Sequence, residues 1–367
     1  MRQLQTPLTE LLGCRYPVIQ TAMGWVADAR LVAASGNAGA FGFLAGAVMS
    51  AEEVEQGIRQ IKAASDRPFG VNFHMYTPAA ADIVDICIRE GVRAVSYSRS
   101  PAKKLVEKLK SAGIVCIPTV GALKHAVKAV QMGADAVVVQ GGEGGGHTGS
   151  VAGNILLPQV VDALIGELKV PVVAAGGFKD GRGLVAALSY GAAGIAMGTR
   201  FLMTKESPVP DATKAQYLGA SAEKIVVSRK LDGLPQRMIE NPCLQQLQKS
   251  SALGLLWLAV KNGLAYTRQS GESLPAMLGA AWKMKKSNGL SLGQTMMAAN
   301  APMMIQQAMV KGHPDSGILP SGQVAGAILD LPNVAELIQS IAAEAEVSLA
   351  RLEKLSKNHK REEAGAI

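Results

Sequence analysis

The chain is poor in aromatic residues. Phenylalanine, tryptophan and tyrosine make up 4% of its 367 residues, too few for the base-stacking platforms of single-stranded nucleic-acid binders. No recognised nucleic-acid motif accompanies its basic residues. Cysteine is equally scarce: Cys14, Cys87, Cys116 and Cys243 are scattered, with no CxxC pair. That spacing offers neither a zinc site nor a disulfide framework and fits a reducing cytoplasm. The sequence has no H-E-x-x-H or other ligand spacing, so no catalytic metal is expected, and no G-x-S-x-G elbow to expose a serine nucleophile. Residues 1–10 lack the apolar core of a secretory signal. The longest apolar stretch, near residues 253–260, is far shorter than a membrane span. These absences point to a cytoplasmic protein that engages neither nucleic acid nor membrane.

What the chain does have is apolar bulk and glycine, with 48% hydrophobic residues and 40 glycines. Short apolar runs at 17–23, 40–44, 69–73, 94–98, 115–120, 136–140, 170–175 and 194–197 alternate with amphipathic segments such as 50–64, 78–90, 102–112, 123–132, 157–168 and 183–190. Eight strands alternating with helices predict an α/β fold, a parallel (β/α)₈ or TIM barrel. A doubly wound dinucleotide fold would want G-x-G-x-x-G after the first strand. Gly24-Trp25-Val26 stands there instead. After Arg200 the alternation stops. Residues 207–314 read as a helical insertion after strand eight, a substrate or lid domain, with a strand pattern only at 224–228. Residues 314–326 return the chain, and 333–355 form the closing amphipathic helix. The barrel is thus expected over 1–206 and 315–356, and 357–367 is expected to be a polar, disordered tail.

The chemistry concentrates where strands end. The run Val137-Val138-Val139-Gln140 reads as a strand buried on both faces. It breaks into Gly141-Gly142-Glu143-Gly144-Gly145-Gly146 and then presents His147. Gly145 and Gly146 would let the backbone approach a flat ligand, and an imidazole can move a proton near neutral pH. The competing reading is a surface loop with an idle histidine. Gln20-Thr21-Ala22-Met23-Gly24 ends the first strand, and its small residues would let a planar ring lie against Thr21, Ala22, Met23 and Gly24. Asn72 and Gln140 put amides at two further strand tips, where they suit the pyrimidine edge of a flavin. Ala175-Gly176-Gly177 ends strand seven and Gly198-Thr199 ends strand eight. In this fold those two loops commonly cradle phosphate, whereas the alternative is ordinary barrel turns. His74 is a second imidazole near a strand end. His125, His313 and His359 read as structural or solvated. The net charge of +8 reads first as solvated helix faces. Its alternative is attraction of a phosphate-bearing substrate by Arg229, Arg237, Lys283, Lys285 and Lys286.

These landmarks resemble the nitronate monooxygenase family of FMN-dependent barrel enzymes, which includes flavin enoyl-thioester reductases and a flavin NADH:quinone reductase. The resemblance runs from about residue 6 to 343 and rests on 20–24, 68–72, Gly145-Gly146-His147-Thr148-Gly149, Ala175-Gly176-Gly177-Phe178, Gly198-Thr199-Arg200-Phe201 and 321–326. Segments 6–11, 20–26, 140–149 and 297–300 are similar to a steroid-degrading branch that acts on a CoA thioester. One departure is Thr21-Ala22-Met23, where nitronate monooxygenases typically carry Ala-Pro-Met. The resemblance implies FMN held by Met23, Asn72, Gln140, Gly176, Gly177, Gly198, Thr199 and Gln323, with His147 as the catalytic base. It also implies NAD(P)H as co-substrate and an acyl-CoA as substrate. Three rivals stay open: oxidation of alkyl nitronates with O₂, an enoyl-thioester or quinone reductase, and a non-catalytic barrel that binds a phosphate ligand or a protein. Monomer and homodimer are both compatible with the sequence.

Overall fold

The computed structural model describes residues 4–98, 102–165, 170–251, 254 and 300–364. The chain divides into two compact units, one of Met1–Gly142, Ser150–Pro208 and Asp330–Ile367, the other of Glu143–Gly149 and Val209–Leu329.

In chain order the first strands are β1 (Val18–Gln20), β2 (Phe41–Leu44), β3 (Gly70–Asn72), β4 (Ala94–Ser98), β5 (Val115–Val120) and β6 (Val137–Gln140). After them come β7 (Gly146–His147), β8 (Val172–Ala175) and β9 (Gly194–Met197). All but β7 pair in parallel and close into a barrel of order β1-β2-β3-β4-β5-β6-β8-β9. The closing seam pairs Val18 with Ile195 and Gln20 with Met197. Each barrel strand falls within one of the eight apolar runs, because a strand covered on both faces needs apolar residues on both.

The first unit fills its interior by matching large residues to small ones. Phe41 and Phe43 meet edge to face with ring centroids 5.1 Å apart. A Cβ on Gly70 would lie 2.3 Å from the Phe43 ring, so glycine makes the room that phenylalanine takes. The helix Pro7–Leu12 contributes Leu8 and Leu12 to the same cluster as Ile19, Ile117 and Val173. Thr6 begins that helix with a capping box and donates its hydroxyl to the Ala193 carbonyl at 2.7 Å. Outside the strands, Ala51–Ala64 buries Val54, Ile58 and Ile61, and Ala80–Arg89 buries Ile83, Val84 and Cys87. Ser50 and Glu53 form the capping box of the first of these, the sequence signature of a helix start. The helix Ala29–Asn37, capped by Asp28, lies in a stretch the sequence reading passed over.

The closing helix, Val334–Ala364, packs on Gly181–Ser189 so closely that a Cβ on Gly181 would lie 2.3 Å from the Ile341 carbonyl oxygen. It is longer than the 333–355 expectation. Its backbone is helical to Ala364. The added residues, rich in Lys, Arg and Glu, are good helix formers with no breaker among them.

The second unit holds a three-stranded antiparallel sheet of order β10-β11-β7, with β10 at Ile225–Ser228 and β11 at Gln236–Ile239. The segment expected to be helical apart from one strand pattern carries a hairpin among the helices Asp211–Leu218, Pro242–Lys249 and Asn300–Met309. β10 coincides with the 224–228 strand pattern. β11 reads Gln-Arg-Met-Ile, too short and too polar to announce itself. The amides of Ile239 and Ser321 donate to the carbonyls of Leu319 and Arg237 at 3.0 and 3.2 Å. This pairing draws the return segment into the second unit as far as Leu329, past the 315 boundary read from sequence. Leu231, Met238, Leu244, Leu247 and Ile318 form its core.

Candidate active site

Parallel pairing brings every barrel strand's C-terminal tip to one end of the first unit, as in other barrels of this architecture. Thr21, Ala22, Met23, Gly24, Asn72, Gln140, Ala175, Gly176, Gly177, Gly198 and Thr199 all lie at or just beyond those tips. The amide of Thr21 donates to the Met197 carbonyl at 3.1 Å. A Cβ on Gly198 would lie 3.2 Å from Thr21 Oγ1 and 3.4 Å from Met23 Sδ, so the first and last barrel turns share one small space. Gln140 pairs with Ala175, and the Gly141 amide donates to the Ala175 carbonyl at 3.0 Å. Asn72 Nδ2 donates to the Ser96 hydroxyl and carbonyl at 2.8 and 3.1 Å, which leaves Oδ1 as an acceptor at the tip.

Gly176 and Gly177 have φ of +94° and +81°. Two successive residues with positive φ make a turn that only glycine adopts cheaply. The helix that follows, Gly181–Ser189, carries an acidic side chain at its N-terminus. Asp180 already caps it, accepting from the Gly183 amide at 3.0 Å. Burial pushes the Asp180 carboxyl up, but Arg182 and that amide outweigh it and hold the group below its ordinary value. The Gly176–Gly177 and Gly198–Thr199 turns are the candidates left for an anion at these strand tips.

Trp25 is a feature the sequence reading passed over. It is half-buried and has φ of +62°, the one non-glycine residue with positive φ among the described residues. The Val26 and Ala27 amides both donate to the Met23 carbonyl, at 3.0 and 2.9 Å, and this tight turn fixes the backbone on either side of Trp25. A bulky residue held in that region stores strain.

In the second unit β7 places His147 directly opposite Gln236 of β11. Paired residues of antiparallel strands share a face, so their side chains meet. The loop between β10 and β11 adds Asp232. His147 Nε2 lies 2.7 Å from Asp232 Oδ2, and Gln236 Nε2 donates to the same oxygen at 2.6 Å. The other carboxylate oxygen, Oδ1, accepts the Leu234 amide at 3.0 Å. Leu231 is fully buried in the unit's core and anchors the loop beside Asp232. The Asp232 side chain is 6% exposed and that of His147 is 50% exposed. Burial pushes the Asp232 carboxyl up, yet the hydrogen bond and charge of His147, with the Leu234 and Gln236 donors, hold it below its ordinary value. Neither Asp232 nor Gln236 was legible beforehand, because the partner of His147 is separated from it by 85 positions.

The glycines before His147 have different reasons to be glycine. A Cβ on Gly145 would lie 2.5 Å from the Gly322 amide nitrogen and 2.6 Å from the Ser321 carbonyl carbon. Gly146 has φ of +64° and open space around it. Gln323 follows in the same return segment, its amide donating to the Glu143 carbonyl at 2.9 Å. His74 stacks on Tyr76 with centroids 5.1 Å apart, whereas His125 and His313 are exposed. Of the basic candidates, Arg229 is exposed, and Arg237 is half-buried, donating to the Ile225 carbonyl and facing the charge of Glu143. Lys283, Lys285 and Lys286 lie outside the described residues. Among the described residues no helix is long and apolar enough to cross a membrane.

A family model described as nitronate monooxygenase matches residues 5–344. The chain is 49% identical over 343 residues to the (3aS,4S,5R,7aS)-5-hydroxy-7a-methyl-1-oxo-octahydro-1H-indene-4-carboxyl-CoA dehydrogenase of Mycobacterium tuberculosis, covering 94% of this chain and 96% of that one. A protein of the same name from Rhodococcus jostii is 48% identical, with 94% and 97% covered. A probable nitronate monooxygenase of Staphylococcus saprophyticus is 31% identical, with 67% and 82% covered. Among solved structures, FabK from Thermotoga maritima superposes with a TM-score of 0.78 at 28% identity, covering 96% of this chain and 99% of that one.

Proposed function

Because this chain belongs to the nitronate monooxygenase family and is an oxidoreductase, we propose that it is an FMN-dependent dehydrogenase of a hydroxylated acyl-CoA, with NAD(P) as redox partner. The observation that carries this reading is the carboxylate-held imidazole of His147 on a chain whose near-full-length relatives are both named as dehydrogenases of one hydroxylated CoA thioester.

The strand tips of the barrel fit the flavin. Gly198 keeps open a space that a Cβ would begin to fill against Thr21 and Met23. Asn72 offers an acceptor, Gln140 an amide, and the Gly176–Gly177 turn two amides for a phosphate. Thr21, Ala22, Met23 and Gly24 would face the ring, and Ala175, Gly198 and Thr199 would complete the cradle. Gly145, Gly146 and Gln323 are candidates carried by the family resemblance alone. Bound FMN supplies the acceptor for a hydride, chemistry no side chain here can perform.

The protein's own part is acid–base work. Dehydrogenation of the thioester removes a proton from the carbon next to the carbonyl and a hydride from the adjacent carbon. His147 accepts the proton, a contribution of roughly 10²–10⁴-fold for a positioned base. Arg229 and the lysines at 283, 285 and 286 are the candidates to attract the CoA phosphates.

The purified protein is therefore expected to be yellow, and anaerobic addition of the relatives' hydroxylated CoA thioester is expected to bleach it. A protein that stays colourless when FMN is added would refute the reading. His147→Ala is expected to keep its colour and lose turnover by at least about tenfold. The staphylococcal relative supports a second reading, oxidation of alkyl nitronates by O₂. That reading gains if reduced protein is reoxidised only by oxygen with nitronate and never exchanges electrons with NAD(P).

A further inference from the structure

We infer that Asp232, steadied by Gln236 and the Leu234 amide, is the positioning residue that fixes the tautomer of His147 and makes Nδ1 the nitrogen that accepts the substrate proton. The inference rests on the reading of His147 as the base.

The argument begins with what each group can donate. An ionised carboxylate only accepts hydrogen bonds. At 2.7 Å from Asp232 Oδ2, His147 Nε2 must therefore carry the proton. Gln236 Nε2 lies 2.6 Å from the same oxygen, so that amide is oriented with its nitrogen toward the carboxylate and spends a proton there. The 3.3 Å approach of Gln236 Nε2 to His147 Nε2 is then a contact between two donors converging on one acceptor. With Nε2 protonated, the basic lone pair of neutral imidazole is on Nδ1.

The surroundings hold this arrangement in place. Asp232 cannot swing away, because its second oxygen is tied to the Leu234 amide two residues on and the neighbouring Leu231 is fully buried. Gln236 is 2% exposed and stands on β11 directly across from His147. Arg237 follows Gln236, pairs with Gly146 and faces the charge of Glu143, so it offers Asp232 no competing partner in the structure. A buried carboxylate that orients an imidazole is a general device for holding it in one tautomer and for stabilising the imidazolium formed when it takes a proton. During turnover the substrate C–H bond next to the thioester carbonyl would break, its proton bonding to Nδ1 and its electron pair entering the new C=C bond, while a hydride leaves the adjacent carbon for the acceptor that bound FMN would supply. Asp232 touches neither substrate nor flavin in this scheme and acts only through the ring.

The test reads the tautomer first. In protein labelled with ¹⁵N-histidine, long-range ¹H–¹⁵N spectra distinguish a protonated from a bare ring nitrogen. The signals of five histidines are assigned by comparison with His147→Ala. Wild-type His147 is expected to be protonated on Nε2 with Nδ1 bare. The opposite tautomer in the wild type overturns the proposal without need of a variant. Asp232→Asn is expected to lose the single-tautomer signature, because asparagine can donate as well as accept. Its kcat on the relatives' hydroxylated CoA thioester should fall about 10–100-fold, part of a general base's usual contribution, while KM changes little. Gln236→Leu, which keeps the carboxylate, is expected to fall between wild type and Asp232→Asn. Unchanged spectra and kcat in Asp232→Asn, with His147→Ala inactive, overturn the role of Asp232 and leave the base standing. Full activity in His147→Ala overturns both.

Discussion

Replacing Gly145 by alanine would add a single methyl group, and the structure says what that methyl meets. Its Cβ would lie 2.5 Å from the Gly322 amide nitrogen and 2.6 Å from the Ser321 carbonyl carbon, where ordinary contact begins at 3.4 Å. The two segments must part by about 0.9 Å, and neither neighbour is a flexible side-chain tip that could turn aside. Ser321 is tied by its amide to β11 and Gln323 to the Glu143 carbonyl, so the displacement falls on the loop that carries His147. Overpacking of this kind costs about 1–3 kcal/mol, which lowers Tm by roughly 2–10 °C for a unit of this size. The larger effect is on chemistry, because moving a reacting group by about 1 Å can cost about 10²-fold in rate. Gly145→Ala is therefore expected to keep most of its stability yet lose kcat by about two orders of magnitude, measured as turnover at matched flavin content. Gly146→Ala is the control. It meets nothing within 4 Å and carries only the strain of φ +64°, about 1–2 kcal/mol. If Gly145→Ala behaves like wild type in both Tm and kcat, the close packing seen here does not govern the position of His147.

Three further outcomes follow from the geometry. His147→Ala should remove the base while leaving the fold and visible spectrum intact, checked by circular dichroism and absorbance beside turnover. Trp25→Gly should relieve a left-handed tryptophan, gaining about 1–3 kcal/mol of strain relief less the indole's packing; a variant that is no more stable and no less active assigns that strained turn no role. The acid limb of stability should carry the mark of Asp232. Its folded-state pKa is lowered below its ordinary 3.8, so its contribution is complete above that value and is lost as pH falls through the lower, folded value. Asp232→Asn should flatten the stability profile in the window below about pH 4, read by denaturant titration against pH.

Much of the barrel was legible because the information it needs is local. A strand buried on both faces must be apolar along its length, and each run from 17–23 to 194–197 contains a strand of the barrel. Ser50 with Glu53 announced a helix through a bond made within one turn. The placement of Thr21, Asn72, Gln140, Ala175 and Gly198 at strand tips was legible for the same reason, since parallel strands put all their C-terminal tips at one end and the tips can be counted along the chain. The hairpin of β10 and β11 was half legible. Ile225–Ser228 shows an apolar strand pattern, but Gln236–Ile239 opens with glutamine and arginine, polar residues that hide a short strand.

The sequence by itself determined the alternation that closes the barrel, the glycine turns at its strand ends and the single histidine after β6, because each depends on residues within a few positions of one another. The tertiary structure alone decided what holds that histidine. Asp232 is 85 positions away from it and belongs to no repeating pattern. Only the antiparallel pairing of β7 with β11, and a loop anchored by Leu231, bring a buried carboxylate to hydrogen-bonding distance of the ring. Hydrogen bonds act over about 3 Å of space, and along an unfolded chain nothing marks which distant carboxylate will come that near.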